Sequence, residues 1–262
     1  MRPPGSSPVP SRRRWVVRVV FFAGVIAAWE ILARAHLWPD YLFPSASRVL
    51  AAMVHGFADR SYPIGIAGSV RRLLQGYAIA LAGGLVLGML MAQIRWLKDT
   101  VGLLVMGLQA LPSICWLPLA ILWFGLNEHA ILFVVIMGAV MSIAQSTEDG
   151  VRNTPPVYLR AARNLGAVGP RLYSAVIFPA ALPSIVTGMK MGWAFAWRSL
   201  MAGELLYTLP GLGNLLNMGR ELNDMAQVVA VILVIITIGL VADKVVFGNI
   251  EKRVRARWGL HY

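Results

Sequence analysis

Long apolar stretches recur along this chain of 262 residues, and they constrain its fold more than any other feature. A helix needs about 20 apolar residues to cross the hydrocarbon core of a bilayer, and backbone polar groups in lipid are satisfied only in helices or closed barrels. The fold class is therefore predicted to be all-α, a polytopic membrane helix bundle in one domain. The predicted spans are residues 15–35, 66–92, 100–124, 127–146, 184–207 and 226–247, within a domain of residues 15–262.

Composition and charge agree with a membrane protein. Hydrophobic residues make up 58% of the chain and charged residues 14%, whereas a soluble domain carries about 25% charged residues. The net charge of +12 would indicate nucleic-acid binding in a soluble protein. Here about 16 of the 24 Lys and Arg residues fall in or beside the stretches 1–14, 93–99, 147–183 and 248–262. The positive-inside rule then predicts that these stretches and both termini are cytoplasmic, and no nucleic-acid partner is expected.

The amino-terminal residues are rich in Pro, Ser and Arg. Residues 1–14 are predicted to form a disordered, basic cytoplasmic tail. The apolar run that follows resembles a secretory signal peptide, but it is about 20 residues long and contains Trp29 and Glu30. Its length and its polar residue favour an uncleaved first span.

Residue types that carry catalysis or metal binding are sparse. Cys115 is the only cysteine, and in its apolar run we expect it to be an inert, buried group. The histidines at 36, 55, 129 and 261 do not show the spacing of metal ligands. The sequence also lacks HExxH, GxSxG and paired intramembrane aspartates. We therefore expect no catalytic residue and no metal site, and an intramembrane enzyme is disfavoured.

A polar stretch, residues 147–183, separates the fourth and fifth predicted spans. Pro155-Pro156 breaks the preceding helix, because proline cannot continue it. Residues 157–168 are predicted to contain a short helix, which Gly166 ends in a left-handed turn of the Schellman type. Most connections between helices are shorter and less patterned than this one. The stretch is therefore interpreted as a docking loop, with a plain connector as the alternative.

The centre of the predicted loop helix is small and its rim is basic. Ala161 and Ala162 keep the helix slim enough to lie in a groove of another protein, and Arg160 and Arg163 are expected on its surface. These arginines either contact a partner or mark the cytoplasmic side.

The pattern Ala161-Ala162, Gly166 and Val176-x-Phe178-Pro179 resembles the loop motif of ABC importer permeases, Glu-Ala-Ala-x3-Gly-x9-Ile-x-Leu-Pro. Arg160 stands where that family most often has Glu, which reverses one charge at the rim of the helix. Four further segments are similar to the nitrate/sulfonate/taurine branch of these permeases: FPSASRVL (43–50), SVRRLLQGYAIALAGGLVLG (69–88), LPSICWLPLAILWFGLNEHAILFVV (111–135) and AALPSIVTGMKMGWAFAWRSLMAGELL (180–206).

This resemblance implies the fold of a type I ABC importer permease in a bacterial cytoplasmic membrane. It implies a second permease copy, two subunits that bind ATP and Mg, and an extracytoplasmic solute-binding protein. The implied substrate is a small anion, first an aliphatic sulfonate or taurine and next nitrate or bicarbonate. The residues implied in coupling to the ATPase are Arg160, Ala161, Ala162, Arg163, Gly166 and Pro179. An ion-coupled secondary transporter is the alternative, but such proteins usually show internal repeats with interrupted helices, for which the sequence gives no clear sign.

The fifth predicted span carries Lys190, Arg198 and Glu204, and ionisable groups within spans are usually functional or paired. Lys190 is expected to reach the cytoplasmic edge. Arg198 and Glu204 lie six residues apart, too far around the helix to pair with each other, so each is expected to meet another span or subunit. Arg198 either attracts an anion in the translocation path or fixes helix packing. The candidate path residues are Arg198, Glu204, Gln109, Ser113 and Gln145; the polar ones are alternatively interhelical hydrogen-bond partners.

Small residues recur every fourth position in two predicted spans, at Ala80, Gly84 and Gly88 and again at Gly188 and Gly192. Small-xxx-small spacing lets helix backbones approach closely in lipid, so a tight bundle is expected.

Overall fold

The structure, a computed structural model, describes residues 11–35, 37–39 and 41–257. This part of the chain is helical and contains no strand, as expected for an all-α bundle. The helices are α1 (Ser11–Arg34), α2 (Ala46–Ala58), α3 (Ser61–Gln93), α4 (Arg95–Gln109), α5 (Ser113–Phe124), α6 (Glu128–Arg152), α7 (Pro156–Asn164), α8 (Gly169–Glu204), α9 (Leu212–Glu221), α10 (Met225–Val241) and α11 (Gly248–Arg257).

Helix α6 is the centre of the bundle and packs against both α3 and α8. Its Ile131, Val134 and Ile143 have no exposed surface. Helix α3 runs parallel to α6, since Gly76 lies beside Val135 while Gly88 lies beside Thr147. Helix α8 runs antiparallel to α6. We call the end of the bundle that carries residues 153–168 the loop end, and the opposite end the far end.

The predicted close packing at small residues is confirmed on both sides of α6. A Cβ atom on Gly84 would lie 2.8 Å from the Ile143 side chain. A Cβ atom on Gly188, in α8, would lie 2.3 Å from the Cβ of Ser146. Because real Cβ contacts are longer than these, glycine is what permits the observed helix separation.

The membrane spans are close to those predicted, with one exception. Within the described part of the chain, five helical segments are long and apolar enough to cross a membrane, and α4 with α5 makes a sixth if that bent pair is one span. Residues 100–124, predicted as one span, do not form one straight helix, since α4 and α5 meet at 105°. Pro112 lies in the break; it has no N–H to donate and disfavours helical geometry at the residue before it. Cys115, expected to be buried, is exposed beside this break.

Two boundaries in the structure also differ from the predicted ones. Helix α1 begins at Ser11, so residues 11–14 belong to a helix rather than to the predicted tail, whose residues 1–10 lie outside the described residues. Helix α1 is attached to the rest of the chain near its end, where Trp29 Nε1 donates a 3.0 Å hydrogen bond to the Pro44 carbonyl. The Glu30 carboxylate there accepts hydrogen bonds from the backbone N–H and the hydroxyl of Ser47.

The connection between the fourth and fifth predicted spans is shorter than residues 147–183. Helix α6 continues to Arg152, and α8 already begins at Gly169, so the loop outside the long helices is residues 153–168. The extension of α6 carries Glu148 and Arg152 one turn apart, 3.4 Å between their charged groups, a spacing that stabilises a helix.

Candidate functional site

The loop of residues 153–168 is built around the short helix α7. Pro155 has extended geometry and Pro156 occupies the first turn, where its missing N–H leaves no bond unmade. At the other end Gly166 has φ +80°, in the left-handed region. The Ala167 N–H donates to the Ala162 carbonyl at 2.9 Å, and the Gly166 N–H donates to the Arg163 carbonyl at 3.0 Å. This is the Schellman turn that the sequence predicted at Gly166.

One side of α7 packs against the loop-end part of α8. Ala162 is 7% exposed and lies in an apolar cluster with Leu172 and Ile177. Leu159 and Ala167 pack against the same cluster. The small side chain of Ala162 therefore brings α7 close to α8 and fixes the direction in which the rest of α7 points.

The other side of α7 is uncovered and largely apolar. Tyr158, Ala161 and Leu165 follow one another at three- and four-residue spacing, so they share one face of the helix. All three are exposed, and Leu165 is 88% exposed. Arg160 and Arg163 are exposed as well and give this surface a basic rim. Apolar side chains displayed together in this way indicate a docking surface. We call residues 157–168 with this uncovered face the docking loop.

Pro179 is not part of the docking loop, although the sequence grouped it with the coupling residues. It lies in α8, directly after a π-helical turn at Tyr173–Ile177. Such wider turns commonly occur where the regular hydrogen-bond ladder is interrupted, and Pro179 has no N–H to contribute to that ladder.

A charged cluster lies beside the docking loop at the loop end. The Glu148 carboxylate is 3.0 Å from the Lys98 ammonium group, and Glu148 is largely buried. Gln145, a predicted path residue, lines a cavity of about 470 Å³ with Lys98 and Glu148. Gln145 is therefore separate from the other candidate path residues.

Three of the five predicted path residues meet at the break between α4 and α5. Arg198, Gln109 and Ser113 line one cavity of about 300 Å³. The wall of this cavity is otherwise mainly apolar and includes Trp116 and Phe195. The break therefore gives the bundle a pocket with one cationic group, neighbouring polar groups and an aromatic surface.

The Arg198 guanidinium has no carboxylate partner among the residues that the structure describes. Its Nε donates a 3.1 Å hydrogen bond to the Ala194 carbonyl one turn earlier, and its Cζ lies 5.0 Å from the centre of the Phe195 ring. Both contacts are within α8, so the expected partner on another span is absent from this part of the chain. The charge is held in place by its own helix.

Arg198 belongs to a stripe of α8 that the rest of the chain leaves uncovered. Thr187, Met191, Ala194 and Arg198 are exposed at helical spacing. The uncovered face of α10 differs, since its most exposed large residues are aliphatic, such as Ile236. A face with a charge and small or polar groups suits water or protein better than lipid.

Glu204, the fifth predicted path residue, lies far from this cavity, at the far end of α8. It is 1% exposed, and its carboxylate accepts hydrogen bonds from Arg72 at 2.8 Å and from the Ser69 hydroxyl at 2.6 Å. The expectation that Glu204 meets another span is confirmed, and the partner span is α3. Burial raises the pKa of the Tyr207 hydroxyl in the connection that follows.

Two polar contacts between spans were not predicted. Arg72 was not among the residues predicted to pair, yet it is buried, whereas the adjacent Arg71 is exposed. Lys190 was expected to reach the membrane edge, but it lies 3.3 Å from the Asp243 carboxylate near α11. An ionisable residue inside a predicted span indicates such a pair. Arg72 and Lys190 each lie inside a predicted span, so this signal was present in the sequence.

A bundle of spanning helices, with a partly polar cavity at the break between α4 and α5 and a short helix displayed at one end, is the architecture expected of a transport permease. The chain belongs to the family described as binding-protein-dependent transport system inner membrane component, whose model matches residues 84–256, about two thirds of its length. Membership in this family makes it a multi-pass inner-membrane permease.

Relatives of known sequence agree with this family. A putative ABC transporter permease protein of Methanocaldococcus jannaschii is 32% identical over 240 residues, 87% of each chain. The putative aliphatic sulfonates transport permease protein SsuC of Escherichia coli is 30% identical and covers 95% of both chains. The bicarbonate transport system permease protein CmpB of Synechococcus elongatus is 30% identical over 68% of this chain and 64% of its own.

The fold matches a solved ABC importer. An inward-facing structure of the MetNI methionine ABC transporter superposes with a TM-score of 0.62 at 20% identity, over 72% of this chain and 94% of the matched chain. The expected type I importer permease fold is therefore confirmed.

Proposed function

We propose that this chain is the permease subunit of an ATP-driven importer for a small organic anion, with an aliphatic sulfonate as the preferred class. In this proposal both termini and the docking loop are cytoplasmic, and the far end of the bundle faces the solute-binding protein. The chain forms the translocation path. ATP and Mg are bound by a separate ATPase subunit, and this chain supplies no catalytic residue.

The uncovered face of the docking loop is the observation that carries the proposed coupling. Tyr158, Ala161 and Leu165 form an apolar face outside the long helices, and the Schellman turn at Gly166 fixes its shape. A surface of this kind is stabilised when a partner covers it. Arg160 and Arg163 at its rim favour a partner whose groove is acidic at the edge.

A second copy of the chain suits the uncovered stripe of α8. Thr187, Met191, Ala194 and Arg198 face away from this chain's own core. If the same stripe of a second copy lies opposite, the polar groups line a shared passage instead of contacting lipid. Most oligomers of this kind use a two-fold axis, which places equivalent residues face to face.

The cavity at the break between α4 and α5 supports the choice of substrate class. Arg198 offers a guanidinium, which binds planar or tetrahedral oxyanions through paired hydrogen bonds. The remaining wall includes Trp116, Phe195 and Met141. An aliphatic sulfonate has an anionic head and an apolar chain to match both parts. Bicarbonate and nitrate lack the apolar part, so this wall favours the sulfonate.

The experiment that tests the coupling changes Leu165→Asp in the tagged chain and compares it with Leu222→Asp. Leu165 and Leu222 each directly follow a short helix, α7 at the loop end and α9 at the far end, and both are strongly exposed at 88% and 69%. Each chain is purified in mild detergent, and bound subunits are identified by mass spectrometry.

The proposal expects an ATPase subunit to remain bound to the wild type and to Leu222→Asp, and to be lost from Leu165→Asp. A buried, unpaired carboxylate at an interface is strongly unfavourable, whereas an exposed one is tolerated. If the wild type is isolated alone and transports without ATP, the importer proposal is wrong and ion-coupled secondary transport replaces it.

A further inference from the structure

The most fully satisfied buried charge in the described chain is Glu204, at the far end of α8. One carboxylate oxygen accepts from Arg72 at 2.8 Å; the other accepts from the Ser69 hydroxyl at 2.6 Å and from the Gly213 N–H at 3.0 Å. The Arg72 side chain is 4% exposed and also donates to the Pro210 carbonyl at 3.0 Å. Burying a carboxylate and a guanidinium is costly unless both are hydrogen-bonded. The Glu204 carboxylate accepts three hydrogen bonds and Arg72 Nη1 donates two, whereas the buried Arg72 Nε makes no hydrogen bond.

The amino terminus of α9 is directed at the same carboxylate. The Gly213 N–H donates to Glu204, and the neighbouring Leu212 N–H donates to Ser69 at 2.9 Å. The first N–H groups of a helix carry partial positive charge and favour an anion. The chain supplies that anion itself, with Glu204 in the position that a bound ligand takes at other helix ends. We call Ser69, Arg72, Glu204 and Gly213 the far-end clasp.

The backbone around the far-end clasp is shaped for close contact. A Cβ atom on Gly213 would lie 2.5 Å from the Cβ of Glu204, and one on Gly211 would lie 2.5 Å from a Glu204 carboxylate oxygen. A Cβ atom on Gly68, in α3, would lie 2.4 Å from the Pro210 carbonyl oxygen. The segment of residues 210–213 is therefore pressed against α3 and α8, with no room for a side chain at Gly211 or Gly213.

The far-end clasp reaches both helices that flank the docking loop. Helix α8 leaves the loop at Gly169 and ends at Glu204, a helix of 36 residues that is about 54 Å long. Helix α6, which enters the loop, starts at Glu128, whose carboxylate lies 3.3 Å from the Arg72 Nε. Arg72 thus touches the far ends of the two helices whose other ends carry the docking loop.

We propose that Arg72 and Glu204 are positioning residues of the transport cycle, which hold the far ends of α6, α8 and α9 to α3. This inference rests on the proposed function. When an ATPase displaces the docking loop, α3, α6 and α8 move as one body, and residues 205–213 at the far end move with them. Without the clasp, α8 and α9 move independently of each other. Displacement of the docking loop then does not change the conformation of the far end of the path.

The test uses the complete complex of this chain with its co-purifying ATPase and solute-binding protein, reconstituted in liposomes. The variant is the double substitution Arg72→Met with Glu204→Gln. Removing one member alone would leave a buried charge without a partner, whereas removing both charges at similar volume preserves folding. The control is Arg220→Met: Arg220 lies in α9, is exposed, and makes no ion pair among the described residues.

Three quantities are measured for each complex: the thermal midpoint, the rate of ATP hydrolysis, and the number of ethanesulfonate molecules transported for each ATP hydrolysed. The double variant is expected to keep its ATPase subunits and its thermal midpoint. Its transport per ATP is expected to fall by at least about fivefold, the lower end of usual coupling between sites. Arg220→Met is expected to keep the wild-type ratio.

A second variant, Gly213→Ala, tests the same inference without removing any charge. Its added Cβ pushes α9 away from Glu204, so transport per ATP is again expected to fall. An unchanged ratio in both variants would overturn the inference, and so would a joint loss of stability and transport at a constant ratio, because packing alone would explain it. A wild-type chain that binds no ATPase contradicts the proposed function instead, and co-purification reveals that separately.

Discussion

The Ala167 N–H donates a 2.9 Å hydrogen bond to the Ala162 carbonyl, and the chain between them turns through Gly166 with φ +80°. This bond closes the docking helix and turns the chain back towards α8. Because Ala162 also packs against α8, the same residue anchors the helix and the turn. The shape of the docking surface therefore depends on two small residues. Ala162 packs against α8, and Gly166 adopts the left-handed conformation that ends α7.

Gly166→Val is expected to disturb this turn, and Gly166→Asn to preserve it. A left-handed conformation costs an L-residue about 1–2 kcal/mol, and a β-branched residue is worse suited to it than asparagine. No atom lies within 4 Å of the Cβ position, so backbone strain is the cause and steric contact is not. The measurement is the amount of ATPase subunit that co-purifies with each variant, which should decrease for Val and stay near the wild-type amount for Asn.

Ala162→Leu and Ala161→Leu together are expected to distinguish an effect on folding from an effect on docking. Ala162 is buried against Leu172 and Ile177, so three added carbons overpack this contact and destabilise it by about 1–3 kcal/mol. Ala161 is exposed, so the same change there leaves the free chain intact but obstructs the docking face. Thermal unfolding in detergent should show a lower midpoint for Ala162→Leu only, while co-purified ATPase should decrease for both. Equal midpoints for the two variants would contradict the inward placement of Ala162.

Gly88→Ala is expected to loosen the bundle at the contact of α3 with α6. Its Cβ would lie 2.4 Å from the Ala144 carbonyl oxygen, a backbone atom that cannot move away without shifting α6. The cost expected from such overpacking is about 1–3 kcal/mol. Gly83→Ala is the matched control, since its Cβ would meet a Val140 methyl group at 3.8 Å, an ordinary contact. The thermal midpoint should fall for Gly88→Ala and remain unchanged or rise for Gly83→Ala.

Local sequence signals predicted the docking loop better than any other part of the molecule. Pro155-Pro156 and Gly166 determine the ends of α7 through their own backbone preferences, which need no distant partner. The apolar spans were equally predictable from the sequence, because hydropathy depends on composition within a short window. The exception is the break at Pro112. The apolar run of residues 100–124 is long enough for one span, so the sequence predicted one span there and not two helices that meet at an angle.

The contacts between distant segments could not be predicted in the same way. Arg72 and Glu204 are separated by 132 residues, and only the parallel and antiparallel packing of α3, α6 and α8 brings them together. The candidate path residues divide for a similar reason. Gln109, Ser113 and Arg198 meet because the chain bends by 105° between α4 and α5. Gln145 was predicted as a path residue only because it is a polar residue in a span, and it lines a different cavity.

Arg198→Gln is expected to reduce transport of an anion without reducing stability. The guanidinium contacts only its own helix among the described residues, through the Ala194 carbonyl and the Phe195 ring, so its removal breaks no tie between spans. A hydrogen bond to a charged group is worth about 1.5–3 kcal/mol, which corresponds to roughly a tenfold to hundredfold weaker interaction with the anion. Arg198→Lys keeps the charge but loses the planar pair of donors, so its effect should be intermediate.

The measurement for Arg198 is the initial rate of ethanesulfonate uptake at subsaturating concentration, together with the thermal midpoint of each complex. Thr187→Val is the control, because Thr187 lies on the same uncovered stripe of α8 about three turns away and does not line the cavity. Loss of uptake with an unchanged midpoint means that the guanidinium acts on the anion. A lower midpoint with uptake retained by the folded fraction means that Arg198 serves helix packing, and this outcome would remove it from the path.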